Sequence, residues 1–377
     1  MALTKDEVLA SLEDVKSPDG LPLPKAGKLS DIVVTDDKVF FSIGVDASEV
    51  QAWEPVRKRA EEVVRAIPGV RSAMIALTAE RKAGGGAVPP PTAAPAAHPR
   101  PGGPRGEQPV GVPGIGAFIA VASGKGGVGK STTAVNLALG LRDLGLKVGL
   151  LDADIYGPSL PRLLAIKERP QMIDGGKLKP IERYGLAVMS IGFLVDEETP
   201  MIWRGPMVMS ALTQMLHEVE WGVLDIMVVD MPPGTGDAQL TMAQQVPLKG
   251  AVIVSTPQDL ALIDARRGIA MFRRVSVPVL GIVENMSYFL CPQCGSRSDI
   301  FGHGGARREA EQRNVPFLGE VPLHMDIREK SDAGLPVVAT DPDGPHAKIY
   351  RDIAVRVREQ LAGSGAGRAA PKIVVEA

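Results

Sequence analysis

The sequence predicts an α/β chain: a P-loop NTPase parallel sheet covered by helices on both faces, preceded by a small α+β domain. Three observations carry this. Segments rich in apolar residues recur at 117–122, 148–151, 187–191, 226–230, 251–255, 279–284 and 316–321, most of them near-continuous in Val, Ile, Leu and Ala, the pattern of strands buried on both faces. Helical patterns separate them, as the crossovers of a parallel sheet require. The first run leads into Ser123-Gly124-Lys125-Gly126-Gly127-Val128-Gly129-Lys130-Ser131-Thr132 and then a helical pattern, the strand–Gly-rich loop–helix order that cradles phosphate.

The chain of 377 residues, 45% of them hydrophobic, is long enough for two domains. Residues 1–82 read as the small α+β domain, 83–114 as a Gly/Pro/Ala-rich flexible linker, 115–363 as the nucleotide-binding domain and 364–377 as a tail. In the first, periodicity predicts helices over 5–15 and 49–66 and strands over 29–35, 38–45 and 70–77. The second helix places Val50, Trp53, Val56, Ala60, Val63 and Val64 close to one face, which packs on the sheet. In the third, Val135, Ala138, Leu141 and Leu144 share a helix face after the loop, and further helices fall near 207–219, 260–275 and 346–361.

A formal charge of −2 gives no bulk electrostatic reason for a nucleic-acid or anionic-membrane partner. Lys5, Asp6 and Glu7 stand where a secretory leader would carry its apolar core, and no run approaches the roughly 20 apolar residues of a membrane span. The expectation is a soluble, cytoplasmic protein. The only cysteines are Cys291 and Cys294, too few for a secreted disulfide framework.

Each motif assigns a role. Gly124, Lys125, Gly126, Gly127, Val128, Gly129, Lys130, Ser131 and Thr132 form the loop; Lys130 is expected on the β- and γ-phosphates and Ser131 on Mg²⁺. Asp152 and Asp154 end the second strand of the nucleotide domain, where Asp154 positions the attacking water and Asp152 supports Mg²⁺, unless they serve as helix caps. Asp230 ends an apolar strand and fits the Walker B carboxylate that holds Mg²⁺. The Met231-Pro232-Pro233-Gly234-Thr235-Gly236-Asp237 segment that follows suits a phosphate-sensing switch, with Asp237 either capping the next helix or acting in catalysis. On residue type alone Asn285, in Glu284-Asn285-Met286-Ser287, is a turn residue. Cys291-Pro292-Gln293-Cys294 offers two thiols to one metal centre, half of a four-cysteine site; on spacing alone a zinc knuckle and a redox dithiol stay open. His303 is read as a loop histidine and not a ligand. Arg204 has no assigned role beyond packing or a dimer contact.

Taken in order, the Lys-Gly-Gly-Val-Gly-Lys-Ser loop with its extra Lys125, Asp152-Ala153-Asp154, the segment 230–237, Glu284-Asn285-Met286-Ser287 and Cys291-Pro292-Gln293-Cys294-Gly295 before Ile300-Phe301-Gly302 resemble the Mrp/ApbC/Nbp35 iron–sulfur carrier ATPases. The loop form is shared with the nitrogenase iron protein and with septum-siting and partition ATPases. Residues 1–82 more loosely resemble the DUF59/MIP18-like domain of iron–sulfur assembly proteins. The resemblance implies a slow ATP hydrolase and homodimer in which Lys125 reaches the partner's nucleotide and Asn285 recognises adenine. It implies a [4Fe-4S] cluster held by Cys291 and Cys294 of both chains and delivered to apo-proteins alongside assembly factors. The rival readings are a spatial-organisation ATPase and a zinc-stapled scaffold dimer.

Overall fold

The computed structural model describes residues 4–30, 32–35, 38–46, 49–70, 72–80, 111–173, 176–195 and 205–365. Residues 83–110 of the expected linker, the tail beyond 365 and Arg204 lie outside the described residues. The chain divides into two compact units, 1–107 with 199–211 and 108–198 with 212–377.

In the first unit α1 (Lys5–Ser11) precedes a sheet of β1 (Val33–Thr35), β2 (Lys38–Asp46) and β3 (Ser72–Glu80), with α2 (Val50–Arg65) between β2 and β3. Thr4 caps α1 by accepting from the Glu7 amide, while the Glu7 carboxylate accepts from the Thr4 amide. The order is β1-β2-β3, antiparallel then parallel. Trp53, Val56, Ala60 and Val64 of α2 are buried with Phe41, Ile43 and Ile75 of the sheet, as the helical spacing requires.

The second unit is built on β4 (Ile115–Ala122), α3 (Lys130–Asp143), β5 (Val148–Asp152), α4 (Leu160–Leu163), β6 (Ile181–Arg183) and β7 (Leu186–Ser190). After α5 (Gly205–His217) come β8 (Leu224–Asp230), α6 (Asp237–Gln245), β9 (Leu248–Ser255), α7 (Asp259–Arg274), β10 (Val279–Leu290), β11 (Arg297–Ser298), α8 (Gly305–Gln312) and β12 (Phe317–Leu323). The chain closes with α9 (Met325–Asp332), α10 (Val337–Thr340) and α11 (Pro345–Gly365). Its sheet runs β11-β10-β9-β4-β8-β5-β7-β6 with β12 also on β10. Strands β4, β5, β7, β8, β9, β10 and β12 pair in parallel, while β6 and β11 join antiparallel.

The register aligns Val121 and Asp152 with Asp230, so the carboxyl ends of three neighbouring strands present their loops together. Helix α3 is buried round most of its circumference: Thr133 through Leu141 are covered, because α11 packs over it. A side chain at Gly140 would meet the Ala354 Cβ at 2.9 Å, so glycine there sets how closely the two helices approach. Each fully buried leucine, such as Leu137 or Leu141, contributes about 2 kcal/mol of transfer free energy.

One boundary differs from expectation in a way that matters below. Strand β10 continues past Glu284 to Leu290, so Asn285 lies in the sheet and not in a turn. The strand accommodates the motif by an irregularity between Asn285 and Phe289, where Met286 adopts φ +53°. Helix α6 starts at Asp237 with Gly236 at its cap position, which puts Asp237 at the first helical position, one residue earlier than the expected start near 238. No helix among the described residues is long and apolar enough to cross a membrane.

Candidate functional site

The loop 123–129 joins β4 to α3, and Gly129 sits immediately before α3 with φ +81°, a left-handed conformation that L side chains resist. A Cβ there would also come within 2.1 Å of Asn285 Nδ2. The loop holds itself in shape: Ser123 Oγ donates to the Lys125 carbonyl at 2.8 Å, and Thr133 Oγ1 to that of Gly129 at 2.9 Å. The Gly234 amide donates to the Ser123 carbonyl at 2.9 Å, linking the loop to the Pro-Pro-Gly segment. Gln239 Nε2 in turn donates to the Pro233 carbonyl at 2.5 Å.

A cavity of about 560 Å³ opens over this loop, lined among others by Gly127, Lys130, Ser131, Thr132 and Asp154. It is large enough for a nucleotide's phosphates and sugar. The sequence did not point to three other residues on its wall, Arg162 after α4 begins and Ser331 and Asp332 at the end of α9. No local motif marks them; they arrive by chain crossing.

Lys130, 6% exposed, donates from Nζ to Asp230 Oδ1 at 2.6 Å and to Ser131 Oγ at 3.2 Å, and lies 4.0 Å from Asp154 Oδ2. The second oxygen of Asp230 is buried without a hydrogen-bond partner among the described residues. An orphaned carboxylate oxygen beside a serine hydroxyl and a phosphate lysine suits the hydrated shell of Mg²⁺. Burial pushes the Asp154 carboxyl above the usual range, Lys130 opposing the shift and Asp230 adding to it.

Asp152 is held by donors from its own chain. Its Oδ1 accepts from the Asp154 amide at 3.2 Å, and its Oδ2 from the amides of Ser159 and Leu160 and from Ser190 Oγ, at 3.0, 3.1 and 3.0 Å. These bonds tie the loop 153–159 and the start of α4 to the strand end, and they occupy both oxygens. Complete burial, then the neighbouring Asp230 charge, raise its pKa to about 7.

Asn285 also has a partner the sequence did not foresee. Its Nδ2 donates to the Val128 carbonyl at 2.8 Å, across 157 positions, so one of its two amide N–H groups is engaged by the phosphate loop. Next to it, the buried Glu284 accepts from Ser287 Oγ, Gly304 N and Ala306 N at 2.6, 3.0 and 2.6 Å, anchoring the start of α8. Lys125 is half-buried and does not line the cavity.

Beyond Asn285 and its irregularity, β10 continues to Leu290, next to the cysteines. Cys291 and Cys294 are free thiols in the turn between β10 and β11, the first half-buried and the second exposed. The turn is closed by Cys291 N donating to Ser296 O at 2.9 Å and Gly295 N to Cys291 O at 2.8 Å. Hydrogen bonds from Ser296, with a lesser contribution from Cys291, pull the Cys294 thiol below its ordinary pKa, favouring the thiolate that ligates metals. Arg297 stacks on Tyr288 at 4.4 Å, pairs with Asp299 at 3.0 Å and meets His303. His303 approaches Glu284 and Glu320 within 4.0 Å, but Glu284 is satisfied by its own donors and Glu320 by Arg307.

A doubly covered parallel sheet with a phosphate loop, a Walker B carboxylate and a pair of free thiols defines a P-loop NTPase with a two-cysteine hairpin. Residues 114–358 match the family described as NUBPL iron-transfer P-loop NTPase, and residues 5–76 match that of iron–sulfur cluster assembly proteins. The chain belongs to the NUBPL iron-transfer P-loop NTPase family. It is 55% identical to the iron–sulfur cluster transfer protein NUBPL of Dictyostelium discoideum over 67% of this chain and 79% of that one. Identity to the iron–sulfur cluster carrier protein of Escherichia coli K12 is 56%, over 68% and 69% of the two chains. Among solved structures, a nucleotide-binding protein of Archaeoglobus fulgidus in complex with ADP aligns with TM-score 0.54 and 41% identity, over 62% of this chain and 91% of that one.

Proposed function

We propose that this protein is an ATP-dependent carrier that holds a [4Fe-4S] cluster between two copies of the chain and passes it to apo-proteins. The observation that carries the reading is one strand, β10, which grips the phosphate loop through Asn285 and leads into the turn that holds the free thiols of Cys291 and Cys294. The cluster is cargo. It takes four thiolates, and two chains related by a two-fold axis supply four from one self-complementary patch. The relatives named as cluster carriers and transfer proteins support this over a zinc scaffold or a spatial-organisation ATPase.

In hydrolysis Lys130 leaves its contact with Asp230 for the β- and γ-phosphate oxygens, where it offsets the developing charge. Asp154 orients a water in line with the γ-phosphorus; the water oxygen bonds to phosphorus as the bond to the bridging oxygen of ADP breaks. Ser131 and the free oxygen of Asp230 would hold Mg²⁺, which neutralises phosphate charge. Asp152 acts by fixing the loop that carries Asp154, in place of the metal support expected of it. Asn285 holds the loop backbone in place of reading adenine, and Lys125 is left for the partner chain's nucleotide.

Anaerobic reconstitution followed by iron and sulfide analysis tests the carrier reading. About four iron and four sulfide per dimer are expected, with Cys291→Ser or Cys294→Ser abolishing the cluster and sparing nucleotide binding. Four iron on a species that sizing shows to be monomeric, or stoichiometric zinc with no iron uptake, would overturn it.

A further inference from the structure

Where β12 passes into α9, and across from it at the start of α11, two histidines and an aspartate meet. The imidazole rings of His324 and His346 lie 4.4 Å apart, centroid to centroid, tilted by 47°. One ligand atom from each of His324, Asp326 and His346 falls within 4.8 Å of the others. None of the three belongs to the phosphate cradle or the cysteine hairpin.

His346 is 8% exposed, and its Nδ1 is buried with no hydrogen-bond partner among the described residues. An imidazole nitrogen taken out of water and left unpaired costs free energy unless something completes it. Burial first, and then the facing His324 and Lys330, lower the His346 pKa, with Asp326 and Asp341 acting in the other direction. The unpaired nitrogen has no partner among the described residues, and these surroundings favour the uncharged imidazole, the form that binds metals. Lys330 is itself occupied by Asp341 at 3.2 Å, which leaves the Asp326 carboxylate, 56% exposed, as the anion facing the rings.

His324 Nδ1 stands 3.7 Å from Asp326 Oδ2 and accepts the Asp326 amide at 3.2 Å, capping α9. The cap is long for a hydrogen bond, and a coordinate bond to the same lone pair outweighs it. Tetrahedral ligation with bonds of about 2.1 Å sets ligand atoms about 3.4 Å apart. The exposed aspartate side chain supplies most of the closing movement, since both rings sit on packed elements.

We infer that His324, Asp326 and His346 form a site for a divalent transition metal of the zinc type, with water in the fourth position. Two imidazoles and a carboxylate are a donor set that suits zinc over Mg²⁺ or Ca²⁺, which prefer all-oxygen shells. The metal would clamp the first turn of α9 to that of α11. The last turn of α9 carries Ser331 and Asp332 to the nucleotide cavity, so the clamp stiffens a wall of that cavity.

The test uses the full-length chain carrying Cys291→Ser and Cys294→Ser, which removes competing thiols, stripped with chelator and titrated with Zn²⁺ alone. Retention of about one zinc per chain after desalting is expected, together with a zinc-dependent rise in melting temperature. His346→Gln should abolish both. Because His346 is buried and that variant risks misfolding, Asp326→Asn at an exposed position provides the second arm, with affinity expected to fall at least about tenfold. His303→Asn should change neither reading. No zinc on the parent, unchanged affinity in Asp326→Asn, or loss in His303→Asn alone would overturn the site.

Discussion

The phosphate cradle and the cysteine hairpin are linked by one strand, β10, which touches the first through Asn285 and leads into the second, and they treat their polar groups in opposite ways. Around the cradle nearly every group is buried and paired within the chain: Lys130 with Asp230, Asp152 with four donors, Asn285 with Val128. At the hairpin Cys294 is exposed, and its thiol meets only the small neighbours of its own turn, Ser296 and Cys291, among the described residues. The contrast separates a preorganised site from an incomplete one. A cradle that one chain completes can bind nucleotide alone, while a pair of thiols awaits ligands or cargo from outside. In the cradle the exception is Asp230 Oδ2, buried and unpaired, and that marks where a cation shell fits.

The comparison is broken most directly by Lys130→Ala. It removes the cation that meets the phosphates and leaves Asp230 buried without its partner. Phosphate release should fall by about 10²–10³-fold or more, whereas iron loading at the hairpin should persist. If turnover survives in the purified variant, the cradle is not the site of hydrolysis.

Asp154→Asn is next in size. The shape is kept and the carboxylate lost, so turnover should drop by about 10²-fold while ATP binding stays within a few-fold. Parallel measurement of nucleotide affinity and phosphate release decides; equal loss of both would assign Asp154 to the architecture.

Asn285→Ala sharpens the comparison, because it touches the strand shared by both sites. Losing the bond to Val128 leaves that carbonyl unpaired and frees the loop, at a cost of about 1–2 kcal/mol, or roughly tenfold in nucleotide affinity. Adenine and guanine nucleotides should weaken alike. A selective loss for adenine would restore the adenine-reading role.

The smallest effect concerns Asp152. Its folded pKa of about 7 lies above the ordinary 3.8, so the folded protein binds the extra proton. The stability contributed is present below about pH 4 and is lost as pH rises through 7. Chemical denaturation of wild type and Asp152→Asn across pH 4–8 should show the wild type losing ground relative to the variant as pH increases. Parallel curves would mean that the four donors hold the carboxylate ionised throughout.

Much of this was legible in the sequence because it is local. The loop 123–132, the strand end at Asp230 and the Cys291–Cys294 spacing each lie within a few residues, and buried parallel strands write themselves as apolar runs. The amphipathic face of α2 was readable for the same reason. Tertiary structure alone decided what those residues touch. Asn285 looked like a turn residue because its type favours turns, yet β10 continues through it and its partner lies 157 positions away. Asp152 read from its position as Mg²⁺ support or a helix cap, and only the fold shows that the returning loop and Ser190 donate to it. His324, Asp326 and His346 carry no motif, since the packing of α9 and α11 brings them together. Periodicity and motifs encode a residue's local geometry, whereas the partner of a buried polar group is fixed only when distant segments close over it and water leaves.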